Sequence, residues 1–243
     1  MSKVIGIYSA KGGVGKTTTA INLAASLMGF GRNVLIVDSD LTSPNLGIYL
    51  GTTEIPVSLN SVLKGENQIQ NAVFKHSSGL NLILGSIHPS TTNETNYANI
   101  NLEIEKIKND FEIILIDSAP GRFEESINEM SVVDSVIIIT TPELAAVTDA
   151  LRTITIARRK GKEILGIVLT RINNHEHEMQ ASNIAAMLSS KILASIPEDK
   201  NIPLSARVTG PIIQTHPDSP ATIAYKELAA AIIGATYKKI NNL

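Results

Sequence analysis

The chain of 243 residues contains no cysteine and no tryptophan, and aromatic residues make up only 4% of it. Without cysteine there are no disulfides, no thiol nucleophiles, no thiolate zinc sites and no cysteine-held iron–sulfur clusters. No apolar run approaches the roughly 18 residues that a membrane-spanning helix needs. Neither sign of charge dominates: Lys+Arg number 21 and Asp+Glu 23, a net charge of −2. A protein that binds nucleic acid over its whole surface is usually basic, so such a role is disfavoured, although a local patch remains open. There is no repeat, no low-complexity tract and no Pro/Ser-rich linker. Met1-Ser2-Lys3 leads straight into Val4-Ile5-Gly6-Ile7 with no signal-peptide cleavage pattern, so export is not expected.

What is present is apolar and evenly spread. Hydrophobic residues reach 43%, enough for a large core, so general disorder is excluded. At about 150 residues per domain the length allows one to two domains, and one α/β domain can fill it. Short apolar runs recur at Val4–Tyr8, Val34–Val37, Leu80–Leu84, Phe111–Ile116, Ser135–Thr140, Ile164–Leu169 and Lys191–Ile196. Most do not alternate polar with apolar, as expected of parallel strands covered on both faces. Helical patterns lie between several of them. Thr17–Phe30 puts Ile21, Ala24, Ala25 and Met28 on one face. Thr141-Pro142-Glu143 reads as an N-cap, a first-turn proline and an acid, opening a helix that ends at Arg158-Arg159-Lys160-Gly161. Ser219-Pro220 starts a last helix carrying Ile223, Leu228, Ile232 and Ala235. The expected fold is a three-layer α/β sandwich, a mostly parallel twisted sheet with helices on both faces, forming a single domain over 1–243. His88–Asn99, the most polar irregular stretch, reads as an exposed loop.

Ser9-Ala10-Lys11-Gly12-Gly13-Val14-Gly15-Lys16-Thr17-Thr18 follows the first strand and opens the first helix. Ala10 stands where the common G-x-x-x-x-G-K-[ST] pattern has its first glycine. The other parts of a phosphate loop are present. Gly12, Gly13 and Gly15 let the backbone turn its N–H groups inward around phosphate oxygens. The helix start near Lys16 adds its positive end. Lys16 suits β- and γ-phosphate charge, Thr17 suits a Mg²⁺ ligand, and Thr18 suits the α-phosphate. Two strands end in acids. Val37-Asp38-Ser39-Asp40 ends one, and Ile113-Ile114-Leu115-Ile116-Asp117 ends the other in the layout of a Walker B strand, followed by Ser118-Ala119-Pro120-Gly121.

With its extra lysine, Lys11-Gly12-Gly13-Val14-Gly15-Lys16-Thr17 resembles the deviant Walker A motif of the MinD/ParA family of dimeric ATPases. The likeness covers Lys3 to about Tyr237, and Leu41-Thr42-Ser43-Pro44-Asn45-Leu46 is in the style of archaeal MinD-like proteins. Thr141-Pro142-Glu143, Val147-x-Asp149 and Pro220-Ala221-x-x-Ala224-Tyr225 also match MinD-like stretches. The resemblance implies an ATP-dependent homodimer that hydrolyses ATP to ADP with Mg²⁺. Lys11 would reach the partner's nucleotide, as an arginine finger does. Asp40, in switch I, would help position water and the Mg²⁺ shell with Thr17 and Asp117, and Asp38 would support it. Gly121 would sense the γ-phosphate in switch II. Lys11, Lys16, Asp40 and Asp117 are thus the expected catalytic residues. Gly12, Gly13, Val14, Gly15, Lys16, Thr17, Thr18 and Gly121 are expected to bind phosphate, and Thr170, Arg171, Pro197, Glu198 and Asp199 the base. Thr170 stands where the family commonly has Asn, and a hydroxyl has one donor and no amide fork.

The implied output is a nucleotide-timed positioning or division-site regulator acting on an unidentified protein partner, cytoplasmic or peripheral at the inner face of the membrane. The rival readings are a DNA-partitioning ParA, a metabolic ligase or cluster carrier of the same fold, and a scaffold that binds nucleotide without turnover. Cluster carriers of the group need cysteine, and dethiobiotin-synthetase-type ligases lack the Lys11 pattern. Other signals weigh less. Arg158-Arg159-Lys160-Gly161-Lys162 reads as a helix end with favourable cations rather than a DNA or lipid patch. His175-Glu176-His177-Glu178 lacks further nearby ligands, so no metal role is expected. Asn93-Glu94-Thr95 matches a glycosylation pattern that a cytosolic chain never uses. Lys238, Lys239, Ile240 and Leu243 make too weak an amphipathic turn for stable anchoring, so any membrane contact is expected to be weak or indirect.

Overall fold

Each of the seven apolar runs becomes a strand in the computed structural model, which describes residues 2–88, 99–119 and 130–237. In chain order these are β1 (Lys3–Tyr8), β2 (Val34–Asp38), β4 (Asn81–Ile83), β5 (Ile113–Asp117), β6 (Ser135–Thr140), β7 (Glu163–Ile172) and β8 (Ile192–Pro197). A short edge strand not foreseen from the pattern, β3 (Phe74–Lys75), completes an eight-stranded sheet in the order β3-β4-β2-β5-β1-β6-β7-β8. Every pairing is parallel except β3 with β4.

The alternation hidden in the apolar runs separates two cores. Val4, Leu35, Val37, Ile114, Ile116 and Ile138 point into one apolar cluster. Ile5, Ile7, Ile36, Leu115, Ile137 and Ile139 point into the other. Both faces are therefore dry, as a parallel sheet between helices requires. The first core is covered by α4 (Ile100–Ile107), α5 (Leu144–Arg159) and α6 (Ala181–Leu188). The second is covered by α1 (Lys16–Gly29) and, at the end of the chain, α9 (Pro220–Ile232). The short helices α2 (Leu46–Tyr49), α3 (Leu59–Leu63), α7 (Asn201–Arg207) and α8 (Ile212–Thr215) fill the connections.

Helix ends follow their caps, with one correction. Ser219 accepts the Thr222 N–H at 3.2 Å and Pro220 opens α9, as expected. The face that α9 buries is Ala221, Ala224, Tyr225, Leu228 and Ala229, while Ile223 and Ile232 are only partly covered. By contrast, Thr141 does not cap α5. That helix begins at Leu144, and the cap position falls on Glu143, whose extended backbone brings no side-chain cap. The Glu143 carboxylate is engaged elsewhere, as described below. At the other end of α5, Arg158 donates to the Ser189 carbonyl at 2.8 Å and Lys162 to the Val133 carbonyl at 2.8 Å. The cationic run is thus in large part helix-end and inter-element bonding.

Because β1, β2 and β5 are parallel neighbours, their carboxyl ends lie together. Asp117 is in register with Ile7 of β1 on one side and with Asp38 of β2 on the other. A crevice at that edge is where open α/β sheets bind ligands.

Candidate functional site

The phosphate loop leaves β1 and enters α1 through two left-handed glycines. Gly13 has φ +74° and Gly15, in the cap position of α1, has φ +92°. L-residues with a Cβ rarely adopt such angles. Val14 between them is buried in the core under α1, so its side chain anchors the loop. The Ser9 hydroxyl donates to the Lys11 carbonyl at 2.8 Å and closes the start of the loop. Lys16, the first helical residue, is only 8% exposed.

A cleft of about 310 Å³ opens on this loop. Gly13, Gly15, Lys16, Thr17 and Thr18 form its floor, and Asp38, Asp40 and Asp117 line it from the ends of β2 and β5. The three carboxylates are all buried. Burial pushes Asp117 up to about 6, with nearby Asp40 adding to the rise; the Thr17 hydroxyl and the Lys16 ammonium oppose it. Burial and the adjacent Asp117 charge hold Asp38 well above the usual carboxylate range. Such a site carries more negative charge than Lys16 offsets, and a bound cation would reverse that balance. Oδ1 of Asp117 is buried and has no hydrogen-bond partner among the described residues. An orphaned carboxylate oxygen beside the Thr17 hydroxyl suits a hard divalent cation such as Mg²⁺, which takes oxygen ligands.

Asp38 organises the segment after β2. Its Oδ1 accepts the Asp40 N–H at 3.1 Å and its Oδ2 the Leu46 N–H at 3.0 Å. The Oδ1 of Asp40 accepts from the Thr42 hydroxyl at 3.1 Å and the Ser43 N–H at 2.9 Å, within its own turn. Two further residues line the cleft that the sequence patterns did not single out, Asn45 and Ser118. Ser118 donates its hydroxyl to the Ile7 carbonyl at 2.9 Å and so joins the ends of β5 and β1. Gly121 lies outside the described residues.

Lys11 is placed differently from Lys16. It does not line the cleft; its Nζ lies 3.2 Å from Oε2 of Glu143, both side chains half exposed. Gly12 is exposed next to it.

A second cavity of about 230 Å³ shares Gly15, Thr18 and Arg171 with the cleft. Thr170, Pro197 and Glu198 line it, together with Tyr49, Ile202, Ala206 and Tyr225. Four of the five expected base-binding residues therefore meet here. Thr170 does so with its hydroxyl proton already committed, since it donates to the Val14 carbonyl at 2.6 Å. That bond ties β7 to the phosphate loop. Arg171 is thrown towards both cavities by a left-handed backbone, φ +55°, where the β7–β8 register shifts. Asp199 does not line the cavity. Its buried carboxylate accepts the Asn201 N–H at 2.9 Å and the Ala221 N–H at 3.2 Å, joining the starts of α7 and α9. It shapes the wall without facing an occupant. Tyr49, Ile202, Ala206 and Tyr225 escaped sequence reading because three separate helices contribute them and no local spacing marks them.

His175 and His177 stand in a turn between β7 and α6, their rings stacked at 5.3 Å. Among the described residues no three His, Cys, Asp or Glu side chains are grouped to hold a metal ion. A cation at the cleft would therefore draw on hydroxyl and phosphate oxygens as well as carboxylates.

A parallel sheet with a glycine loop, a buried lysine and strand-end aspartates at its carboxyl edge defines a P-loop nucleoside-triphosphatase fold. A family model described as "AAA domain" matches residues 2–167. An uncharacterized ATP-binding protein of Methanocaldococcus jannaschii is 33% identical over 98% of this chain and 90% of its own length. The crystal structure of the cell division ATPase MinD of Pyrococcus furiosus superposes with a TM-score of 0.92 at 30% identity, over 96% of this chain and 99% of that one. The septum site-determining protein MinD of Pyrococcus horikoshii, complexed with Mg-ADP, gives 0.91 at 29% identity, over 96% of each chain. The chain belongs to the MinD/ParA family of P-loop ATPases.

Proposed function

We propose that this chain is a Mg²⁺-dependent ATP hydrolase whose ATP-bound form is a homodimer, acting as a MinD-like spatial-positioning or division-site regulator, with the whole of 1–243 forming one nucleotide-binding domain. The observation that carries the reading is the convergence of Gly13–Thr18, Asp38, Asp40 and Asp117 on one cleft that continues into a half-apolar cavity. The first part suits a triphosphate and the second a nucleobase. That the P. horikoshii relative was obtained with Mg-ADP supports a nucleotide as the occupant.

In this reading the backbone N–H groups of Gly12 to Thr18 and the positive end of α1 hold the phosphates. Lys16 neutralises the β- and γ-phosphate oxygens. Thr17, Asp40 and Asp117 would hold Mg²⁺, which when bound neutralises charge developing on the phosphates. Asp40 orients the attacking water, and Asp38 keeps its loop in place through the Leu46 N–H. Lys11 acts on the partner's nucleotide. Its position outside its own cleft and the 62% exposure of Leu144, next to Glu143, support a face that a second copy covers.

Two arginine and lysine side chains of the 158–162 run, Arg158 and Lys162, already donate to internal carbonyls. That favours the positioning role over DNA partitioning. No described helix is long and apolar enough to cross a membrane. Cytoplasmic residence with weak or indirect peripheral contact is the reading proposed from the family resemblance. Residues 238–243 lie outside the described residues. A phosphate-release assay on the wild type and on Asp117→Asn tests the hydrolase: ATP-dependent release that the variant loses at least 100-fold is expected. Release that is absent from both would leave a nucleotide-binding scaffold. Sedimentation with liposomes and retention on DNA at low and moderate salt, each with ATP, test the output.

A further inference from the structure

The phosphate cleft and the base cavity are joined by a single turn of helix. Asn45 lines the first and Tyr49 the second, and the Tyr49 N–H donates to the Asn45 carbonyl at 2.9 Å. The same turn is pinned at its start, where the Leu46 N–H meets Asp38 at 3.0 Å. It is also seated closely. Leu46 and Leu50 are buried, and a Cβ on Gly47 would collide with the Thr52 carbonyl oxygen. The turn therefore has little room to deform internally and shifts, if it shifts, as a unit.

The phenol of Tyr49 is tied on its other side. Its oxygen is 3.5 Å from the Ser205 hydroxyl of α7. Ser205 donates its own proton to the Ile202 carbonyl at 2.7 Å, so Tyr49 is the donor in that contact. Thr18 and Asn22, on α1, lie near enough to the phenol to lower its pKa against the rise that burial brings. One hydroxyl thus meets the helix that follows the phosphate loop, the turn that follows Asp40, and the wall of the base cavity.

We propose that Tyr49 is a positioning residue through which a nucleoside in the base cavity holds the Asp38–Tyr49 segment, with Asp40 and Asn45, in place against the phosphates. The inference rests on the ATP reading above and adds to it a route from base to switch. A base filling the cavity contacts the Tyr49 ring. The ring cannot move without α2, and α2 cannot move without releasing the Asp38–Leu46 bond. Contacts remote from the reacting phosphorus are then used at the reacting centre, so a substrate lacking the base should lose turnover and not only affinity.

Hydrogen exchange of the backbone amides of residues 40–50 tests this, with Mg-ADP compared to Mg-pyrophosphate as the base-free ligand. In the wild type, ADP should slow exchange in this segment beyond pyrophosphate. In Tyr49→Phe and Tyr49→Leu that extra protection should shrink, while protection of residues 12–19 by ADP persists. In parallel, kcat for ATP should fall about threefold to tenfold in Tyr49→Phe, the loss of one neutral hydrogen bond, with KM little changed and a smaller loss for tripolyphosphate hydrolysis. If Tyr49→Leu does not fold, Tyr49→Phe carries the comparison. Equal protection of 40–50 by ADP and pyrophosphate in the wild type overturns the proposal, as does a variant that changes only KM. Failure of ADP to protect residues 12–19 in the wild type would instead contradict the nucleotide reading itself.

Discussion

Lys11 and Glu143, 132 residues apart in the chain, form an ion pair of 3.2 Å within one molecule, and the acid takes the position where a cap for α5 would stand. The lysine proposed to serve a partner's nucleotide is thereby held at the surface beside its own phosphate loop. An exposed pair of this kind contributes about 0–1 kcal/mol to stability. Glu143→Ala should leave the unfolding midpoint in urea nearly unchanged while strengthening ATP-dependent dimerisation up to about fivefold, the equivalent of that range. Sedimentation equilibrium with ATP across a concentration series checks it. Weaker dimerisation in the variant would mean that Glu143 itself contacts the second copy.

Asp117 gives a pH dependence with a definite sign. Its folded pKa of about 6 lies above the ordinary carboxylate value of 3.8. The folded state therefore binds the proton more tightly, and the stability tied to this group is present below pH 3.8 and lost as pH rises to about 6. The loss is at most about 3 kcal/mol for two pKa units. Without nucleotide, the wild type should be more stable near pH 5 than near pH 7, and Asp117→Asn should flatten this part of the profile and melt higher than the wild type at neutral pH. Mg-ATP should also flatten it, because a cation favours the ionised carboxylate. Thermal unfolding between pH 5 and 7.5, with and without Mg-ATP, reads both effects.

Thr170→Val keeps the shape of the side chain and removes the donor to Val14. The buried carbonyl loses its partner, at a cost of about 1–3 kcal/mol. Because that carbonyl belongs to the phosphate loop, ADP affinity should fall severalfold together with stability. Calorimetric titration of Mg-ADP gives the answer, and unchanged affinity would show that the loop holds its form without β7.

Asp199→Ala leaves the amides of Asn201 and Ala221 without an acceptor. A stability loss of about 2–4 kcal/mol is expected from two bonds to a charged group. The affinity for ATP should fall more than that for tripolyphosphate, since the base wall loosens while the phosphate loop is untouched. A competition assay between the two ligands separates these effects.

The strands were legible because a parallel strand buried on both faces must be apolar throughout, and Ile113–Ile116 or Val136–Ile139 admit few other readings. The two residues of β3 carry no such run. The phosphate loop was legible because its chemistry depends on local spacing from Lys11 to Thr18. The strand-end acids were legible because Asp38 and Asp117 follow directly on apolar runs and Asp40 stands two residues after Asp38. The start of α5 was misplaced at Thr141 because the Thr-Pro-Glu signal is local, whereas Glu143 is drawn to Lys11 by the fold. The base cavity was legible only where β7 and β8 end. Tyr49 and Tyr225 enter it from helices 176 positions apart, and no periodicity joins them. Asp199 was placed in the right region with a different task, since a carboxylate after a strand serves equally as ligand and as helix-start acceptor.

The most direct test of the account is the oligomeric state of Asp40→Ala in size-exclusion chromatography with light scattering, run with Mg-ATP and with Mg-ADP. Slow hydrolysis in this variant should preserve the ATP state, so a species of twice the chain mass is expected with Mg-ATP and a monomer with Mg-ADP. A monomer under both conditions, with ATP shown to be bound, would contradict the proposal that ATP times the pairing of two copies.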